Sequence, residues 1–177
     1  MDIKQILVST VKGASDVVGS LRTVVKEQIT GSLKDVGEIS SGALVVVTDV
    51  VSQTVSSASE IGISSVDATK NAVGSAIMAV SDLGGDVTEA AKLAVVGAVK
   101  GVSEVGGDVA GVAVSAVEEA VTTVGTMGKG GADTTKEIVL AVVDAADKVG
   151  VDVGKKVREA ILATVSLPKD VIESALK

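Results

Sequence analysis

The chain has 177 residues and a formal net charge of −7, and it contains no His, no Cys and no aromatic residue. The lack of Cys excludes disulfides and thiolate metal sites, and an acidic chain without aromatic rings is not typical of a nucleic-acid-binding protein. Its hydrophobic residues, 46% of the total, are mostly Val and Ala, so any core is built from many small contacts.

The N-terminal segment 1–10 has no apolar run long enough for a signal peptide. Later apolar runs end early, at Asp49 and at Asp144, whereas a membrane-spanning helix needs about 20 mostly apolar residues. We therefore expect a cytoplasmic protein, or one that is peripheral to a membrane or granule surface.

A 22-residue repeat runs through the chain, and two adjacent units, SDLGGDVTEAAKLAVVGAVKGV and SEVGGDVAGVAVSAVEEAVTTV, show it openly. Full repeats cover 15–168 and partial repeats cover 1–14 and 169–177, with no linker between them, so we predict a single helical repeat array over 1–177. The third residue of each unit is apolar. We predict that this column forms the packing seam: Val17, Ile39, Ile61, Leu83, Val105, Met127, Val149 and Val171.

Each unit consists of two 11-residue halves, and its apolar residues are spaced by four, four and three. That spacing averages about 3.67 residues per turn, which is typical of a helix and not of a strand. We therefore predict an all-α fold. One unit illustrates the spacing with Leu83, Val87, Ala91, Ala94, Ala98, Val102 and Val105.

Glycines recur at one place in five successive units and predict turns. A helix interior disfavours Gly, whereas the position just past a helix end favours it. Two residues later stands a residue suited to cap the next helix. We predict about eight antiparallel helices of about 19 residues joined by short turns, with turn glycines at Gly62, Gly84, Gly106, Gly128 and Gly150 and caps at Ser64, Asp86, Asp108 and Asp152. The 11-residue phase also continues through these turns, so one long, nearly continuous helix remains the alternative.

A basic column also follows the 11-residue phase, with an acidic column one residue later. Its members are Lys4, Lys26, Lys70, Lys92, Lys136 and Arg158. The column is either a charge ladder that sets register between neighbouring helices or a solvated helix face. We favour the solvated face, because exposed ion pairs contribute little.

No catalytic, cofactor or metal site is predicted. The GKGG segment at 128–131 departs from a phosphate-binding loop, since Thr123 stands where that motif needs its first Gly. A Ser nucleophile has no His to activate it, and no segment fits a calcium loop. We therefore expect a non-enzymatic protein that binds neither nucleic acid nor a small-molecule substrate.

The period and a Val/Thr/Ala/Gly/Lys vocabulary, as in AAKLAVVGAVKGVSEVGG, resemble the 11-residue amphipathic repeat proteins: synucleins, perilipins and exchangeable apolipoproteins. The resemblance covers nearly the whole chain and implies helices that coat lipid surfaces. This chain differs in its acidic charge and its lack of aromatic anchors.

Two functions follow from these observations. The first is a structural protein whose repeats self-associate, as a homo-oligomer or polymer, into a scaffold, filament, shell or coat. It is favoured because small apolar residues suit close helix packing more than lipid insertion. The alternative is a coat on lipid droplets, polymer granules or membranes. Stress protection by a disordered chain is disfavoured by the apolar composition.

Overall fold

The computed structural model describes residues 2–12 and 14–177. Within them the fold is all-α, with 77% of the chain helical and no strand, so the predicted fold class is confirmed. The described residues form nine helices: α1 (Ile3–Val11), α2 (Val17–Val36), α3 (Val45–Ser56), α4 (Ser65–Asp82), α5 (Val87–Glu104), α6 (Val109–Thr126), α7 (Ala132–Val149), α8 (Val151–Ala163) and α9 (Lys169–Leu176).

The chain is not one continuous helix, and that alternative is wrong. Helices α4 to α7 each have 18 residues, close to the expected length, while the others range from 8 to 20 residues. Helices α4, α5 and α6 begin at Ser65, Val87 and Val109, so their starts follow the 22-residue period. The 11-residue sequence phase therefore continues through the turns that separate these helices.

Backbone hydrogen bonds explain why these helices end where they do. After α4, Gly84 N donates to Ser81 O at 3.0 Å and Gly85 N donates to Val80 O at 2.9 Å. These two bonds form the Schellman pattern that closes a helix on a left-handed glycine. The same pair of bonds recurs after α5, at Gly106 and Gly107. Each turn therefore satisfies the last carbonyls of its helix locally.

The helices contact one another in a regular order. Every helix touches the next one along the chain and the one after that, and the described residues make no other helix–helix contacts. The contacts join α1, α3, α5, α7 and α9 in one row, called the odd row here, and α2, α4, α6 and α8 in the even row. Contacts between consecutive helices hold the two rows together, with the main apolar core between them.

Small side chains fill this core. In α5 the interior positions of the four–four–three pattern are buried, namely Val87, Ala91, Ala94, Ala98 and Val102. Buried glycines let the odd-row helices α3 and α5 approach closely. A Cβ built on Gly97 would lie 2.6 Å from Thr48 O, well inside contact distance. The Thr48 hydroxyl also donates to Leu93 O at 3.0 Å. Close backbone approach therefore replaces the bulky aromatic packing that the sequence lacks.

Candidate functional site

The predicted packing seam is not where the core lies. Of its eight members only Ile61 is buried, while Val105 and Val149 are exposed and the other five are partly buried. The reason is positional: Leu83, Val105 and Met127 are the C-caps of their helices, at the margin of the packed layers. Most members of the chosen column stand at helix ends or between helices.

Three of the four predicted caps hold their helix N-termini. Ser64 Oγ accepts from Asp67 N at 3.0 Å and donates to the Asp67 carboxylate at 2.9 Å. Asp86 accepts from two backbone N–H groups of α5, and Asp108 accepts from Gly111 N at 3.1 Å. Such side chains satisfy backbone donors that have no helical partner.

The fourth cap prediction, Asp152, is wrong. Helix α8 begins at Val151, directly after Gly150, so Asp152 already lies in the first helical turn and its side chain makes no capping bond. A carboxylate there still faces the positive end of the helix dipole. Sequence analysis missed two further caps, Asp2 and Asp16, which accept from Lys4 N and Gly19 N. Their signal was an acidic residue directly before an apolar helical pattern.

Four of the five predicted turn glycines adopt positive φ: Gly62 at 81°, Gly84 at 76°, Gly106 at 67° and Gly128 at 71°. The prediction fails at Gly150, whose φ of 173° is an extended value open to any residue. Helix α8 begins directly after Gly150, so no left-handed turn forms there. A turn that the prediction missed is Gly37, which closes α2 with a φ of 79°.

Three members of the basic column form ion pairs with an acid on, or shortly after, the next helix of their row. Lys4 Nζ lies 2.7 Å from Glu60 Oε1, and Lys26 Nζ lies 2.5 Å from Asp82 Oδ2. The hydrogen bond to Glu60 raises the pKa of Lys4. Lys92 reaches Glu137 at 3.6 Å as well as Glu89 on its own helix. The paired side chains of Lys4 and Lys26 are still about half exposed, so the column contacts neighbouring elements and also faces solvent.

Arg158 makes the most specific of these contacts. Its guanidinium donates to both oxygens of the Asp147 carboxylate, at 2.8 and 2.6 Å. This two-pronged geometry is the strong form of an arginine–carboxylate pair. The hydrogen bonds from Arg158 lower the pKa of the Asp147 carboxyl below its ordinary value of 3.8.

The described residues contain no cluster of three potential metal ligands. A polar groove of about 440 Å³ runs between the α4–α5 and α6–α7 turns and includes Asp86, Thr88 and Lys129. Asp86 is already engaged in capping α5. Lys129 and the Thr88 hydroxyl share this groove, and the Asp86 carboxylate there is held by the backbone of α5.

One helix, α6, is long and apolar enough to cross a membrane by length and composition alone. It lies inside the even row, against α4, α5, α7 and α8, and core helices pass the same test. The sequence matches no known protein family, and no curated protein is significantly similar to it.

Proposed function

We propose that this chain is a non-enzymatic structural protein: a single array of 22-residue helical repeats, folded back and forth, that self-associates into a larger assembly. The observation that carries the proposal is the neighbour-only contact order, in which each helix touches just the next two. Stacked repeat proteins have this one-dimensional character, and their extended surfaces serve binding and assembly.

Recurring contacts at one offset support the array. The Thr48 hydroxyl contacts the carbonyl of Leu93, which is 45 positions later, in the next helix of the odd row. In the even row the backbone of Gly74 faces the carboxylate of Glu119, again 45 positions later (from 74 to 119). Two repeats of 22 residues plus one position account for this offset. Each row therefore advances by two repeats per helix.

An uncovered apolar surface supports self-association. We call it the tail face and define it by Lys136 and Leu140 on α7, Val151, Lys155, Arg158 and Leu162 on α8, and Val165 after α8. Its apolar side chains are exposed by 50% at Leu140, 83% at Val151, 43% at Leu162 and 100% at Val165. Val151 and Leu162 are eleven residues apart and so share one face of α8, and exposed apolar residues that lie together mark interaction sites.

Sedimentation velocity over a hundredfold range of protein concentration tests the proposal, with negative-stain electron microscopy of the same samples. We expect the weight-average sedimentation coefficient to rise with concentration and regular particles or filaments to appear. A single monomeric species throughout that range contradicts self-assembly.

Coating of a lipid or granule surface is the second candidate, and it has less support. The apolar helix faces already pack against one another between the two rows, so binding to lipid requires the array to open. Circular dichroism with and without phospholipid vesicles separates the two ideas. We expect high helicity in buffer and little change with vesicles. A large gain in helicity on adding vesicles favours the coating function instead.

A further inference from the structure

We infer that copies of this chain stack head to tail, with the tail face of one copy against the outer surface of α2 in the next. The inference rests on the proposed self-association and names its interface and geometry. It depends on three observations: the charge ladder inside the chain, the charges at its two ends, and the steric match between those ends.

Two ion pairs inside one chain share a sequence offset, which we call the ladder rule. Lys4 pairs with Glu60 and Lys26 pairs with Asp82, so both pairs join a base to an acid 56 positions later (from 4 to 60 and from 26 to 82). The first pair links α1 to the segment after α3, and the second links α2 to the last residue of α4. In the middle of the chain, the residues 56 positions after Lys70 and Lys92 are Thr126 and Lys148. Neither carries a negative charge, so neither forms an ion pair with a lysine.

Lys136 and Arg158 continue the basic column on the tail face, six repeats after Lys4 and Lys26. At the opposite end, the acids two repeats before Glu60 and Asp82 are Asp16 and Glu38, and both are exposed. Within the described residues, neither Lys136 nor Glu38 has an ion-pair partner. The ladder rule therefore pairs Lys136 with Asp16, and Arg158 with Glu38, between two copies.

We call the outer surface of α2 the head face and define it by six exposed residues: Asp16, Glu27, Gly31, Lys34, Asp35 and Glu38. Its position follows from the row contacts. Asn71 on α4 accepts a hydrogen bond from Arg22, so Asn71 stands on the side of α4 that faces α2. Glu27 occupies the same repeat position on α2, and we therefore infer that it stands on the side of α2 that faces away from α4. The head face is acidic apart from Lys34.

The charged residues that define the tail face have the opposite sign. Lys136, Lys155 and Arg158 lie on it, and the carboxylate that Arg158 contacts, Asp147, neutralises only that residue. Complementary charge guides association and sets register between surfaces. Two copies meeting tail to tail would bring like charges together, whereas head-to-tail contact joins opposite charges.

Side-chain size matches as well. Leu162 occupies on α8 the repeat position that Gly74 occupies on α4, and Gly74 faces the large side chain of Glu119. Gly31 on α2 occupies the repeat position that Glu119 occupies on α6, four repeats later. A Cβ built on Gly31 meets no atom within 4 Å. Within one copy, the small residue Gly74 packs against the large side chain of Glu119. Between copies the exposed Leu162 meets the open surface at Gly31.

A contact between two different surfaces leaves one surface of each kind free at the ends of a pair. Further copies therefore add until the assembly closes into a ring or grows as an open filament. This geometry predicts assemblies one array wide that lengthen by whole copies. It also predicts weaker association at high salt, because the ion pairs lie at an exposed boundary.

A charge exchange between Lys136 and Asp16 tests the geometry. Lys136→Glu places acid against acid in a head-to-tail contact, and Asp16→Lys places base against base. We expect each variant alone to associate at least about tenfold more weakly than the wild type, since one mispaired interfacial charge is enough for that change. An equimolar mixture of the two variants restores opposite charges at every junction, so we expect association to recover in the mixture.

One matched control comes from the same basic column, and the other is matched by side-chain exposure. Lys70→Glu changes an exposed basic residue in the middle of the array and should leave association unchanged. Leu162→Ser should weaken it, whereas Met78→Ser, at a residue of similar exposure on α4, should not. Circular dichroism of each variant verifies that the helices are intact.

The outcomes separate this inference from the proposed function. If the wild type associates but neither charge variant weakens it, or if the mixture fails to recover, self-assembly stands and the head-to-tail geometry is wrong. If the wild type is monomeric at every concentration, both are wrong.

Discussion

Gly97 on α5 lies against the backbone of Thr48 on α3, so closely that a Cβ on Gly97 would stand 2.6 Å from the Thr48 carbonyl oxygen. The Thr48 hydroxyl holds the same two helices together through its bond to Leu93 O. Four residues on, Gly101 meets the backbone of Ser52 in the same way. This pair of glycines determines how near the odd-row helices stand.

Gly97→Ala should therefore destabilise the protein. The added methyl meets backbone, which cannot turn aside as a flexible side chain can, so the helices must separate. We expect a loss of about 1–3 kcal/mol in the free energy of unfolding, as for overpacked cores, measured by urea denaturation. The matched control is Gly31→Ala, inside α2 with open space around it. Alanine favours a helix there by about 0.5–1 kcal/mol. Equal effects of the two substitutions would refute the role of close approach.

The turn glycines differ in their need for glycine. Gly84 has a φ of 76°, where a side chain is strained, so Gly84→Ala should cost about 1–3 kcal/mol of stability. Gly150 has an extended φ and meets only an ordinary contact with Val153, so Gly150→Ala should be nearly neutral. Thermal unfolding of the two variants compares them directly. A larger loss at Gly150 than at Gly84 would show that the two turns have been assigned the wrong geometry.

The caps provide a second matched pair. Asp108→Ala removes the acceptor for Gly111 N and should lower stability by about 1 kcal/mol. Asp152→Ala removes a carboxylate that makes no capping bond, so only its weak attraction to the helix dipole is lost. Chemical denaturation at low salt measures both. If Asp152→Ala proves as costly as Asp108→Ala, Asp152 acts as a cap after all.

The Arg158–Asp147 pair should make stability depend on pH in the acid range. Arg158 lowers the pKa of Asp147 in the folded protein, so the folded state holds this proton less tightly than the unfolded state. The contribution of the pair is therefore complete above the ordinary value of 3.8 and disappears as the pH falls through the lower, folded value.

Asp147→Asn tests this dependence. The variant should be less stable than the wild type near neutral pH, and the difference between their melting temperatures should shrink below pH 3.8. Arg158→Lys serves as the control, because it keeps the charge but loses the two-pronged hydrogen bonds. It should show a smaller pH-dependent difference. A gap that widens as the pH falls would give the linkage the opposite sign.

The local features were largely predictable from the sequence. The four–four–three spacing specified helices, and Asp86 and Gly84 marked where one begins and the preceding one ends. These features depend on residues only a few positions apart, so short-range physics decides them. Gly150 shows the limit of that logic, since an identical repeat position adopted a different conformation once the following helix began without a gap.

The packing seam was not predictable in the same way. Every member of the column from Val17 to Val171 is apolar, yet only Ile61 is buried, because burial depends on which helix lies opposite. The ion pair between Lys26 and Asp82 likewise needed the row contacts, since the two residues lie on helices separated by α3.

By itself, the sequence determined the helical period, the unit length and most of the turns and caps, because each of these is a local consequence of spacing, backbone freedom and short-range hydrogen bonding. The tertiary structure alone decided which positions of the repeat are covered. Gly74 and Leu162 occupy the same place in their units, but the first is buried beneath α6 and the second is exposed on the tail face. The physical reason is that burial depends on which elements lie opposite a residue, and these two residues have different neighbours in the fold.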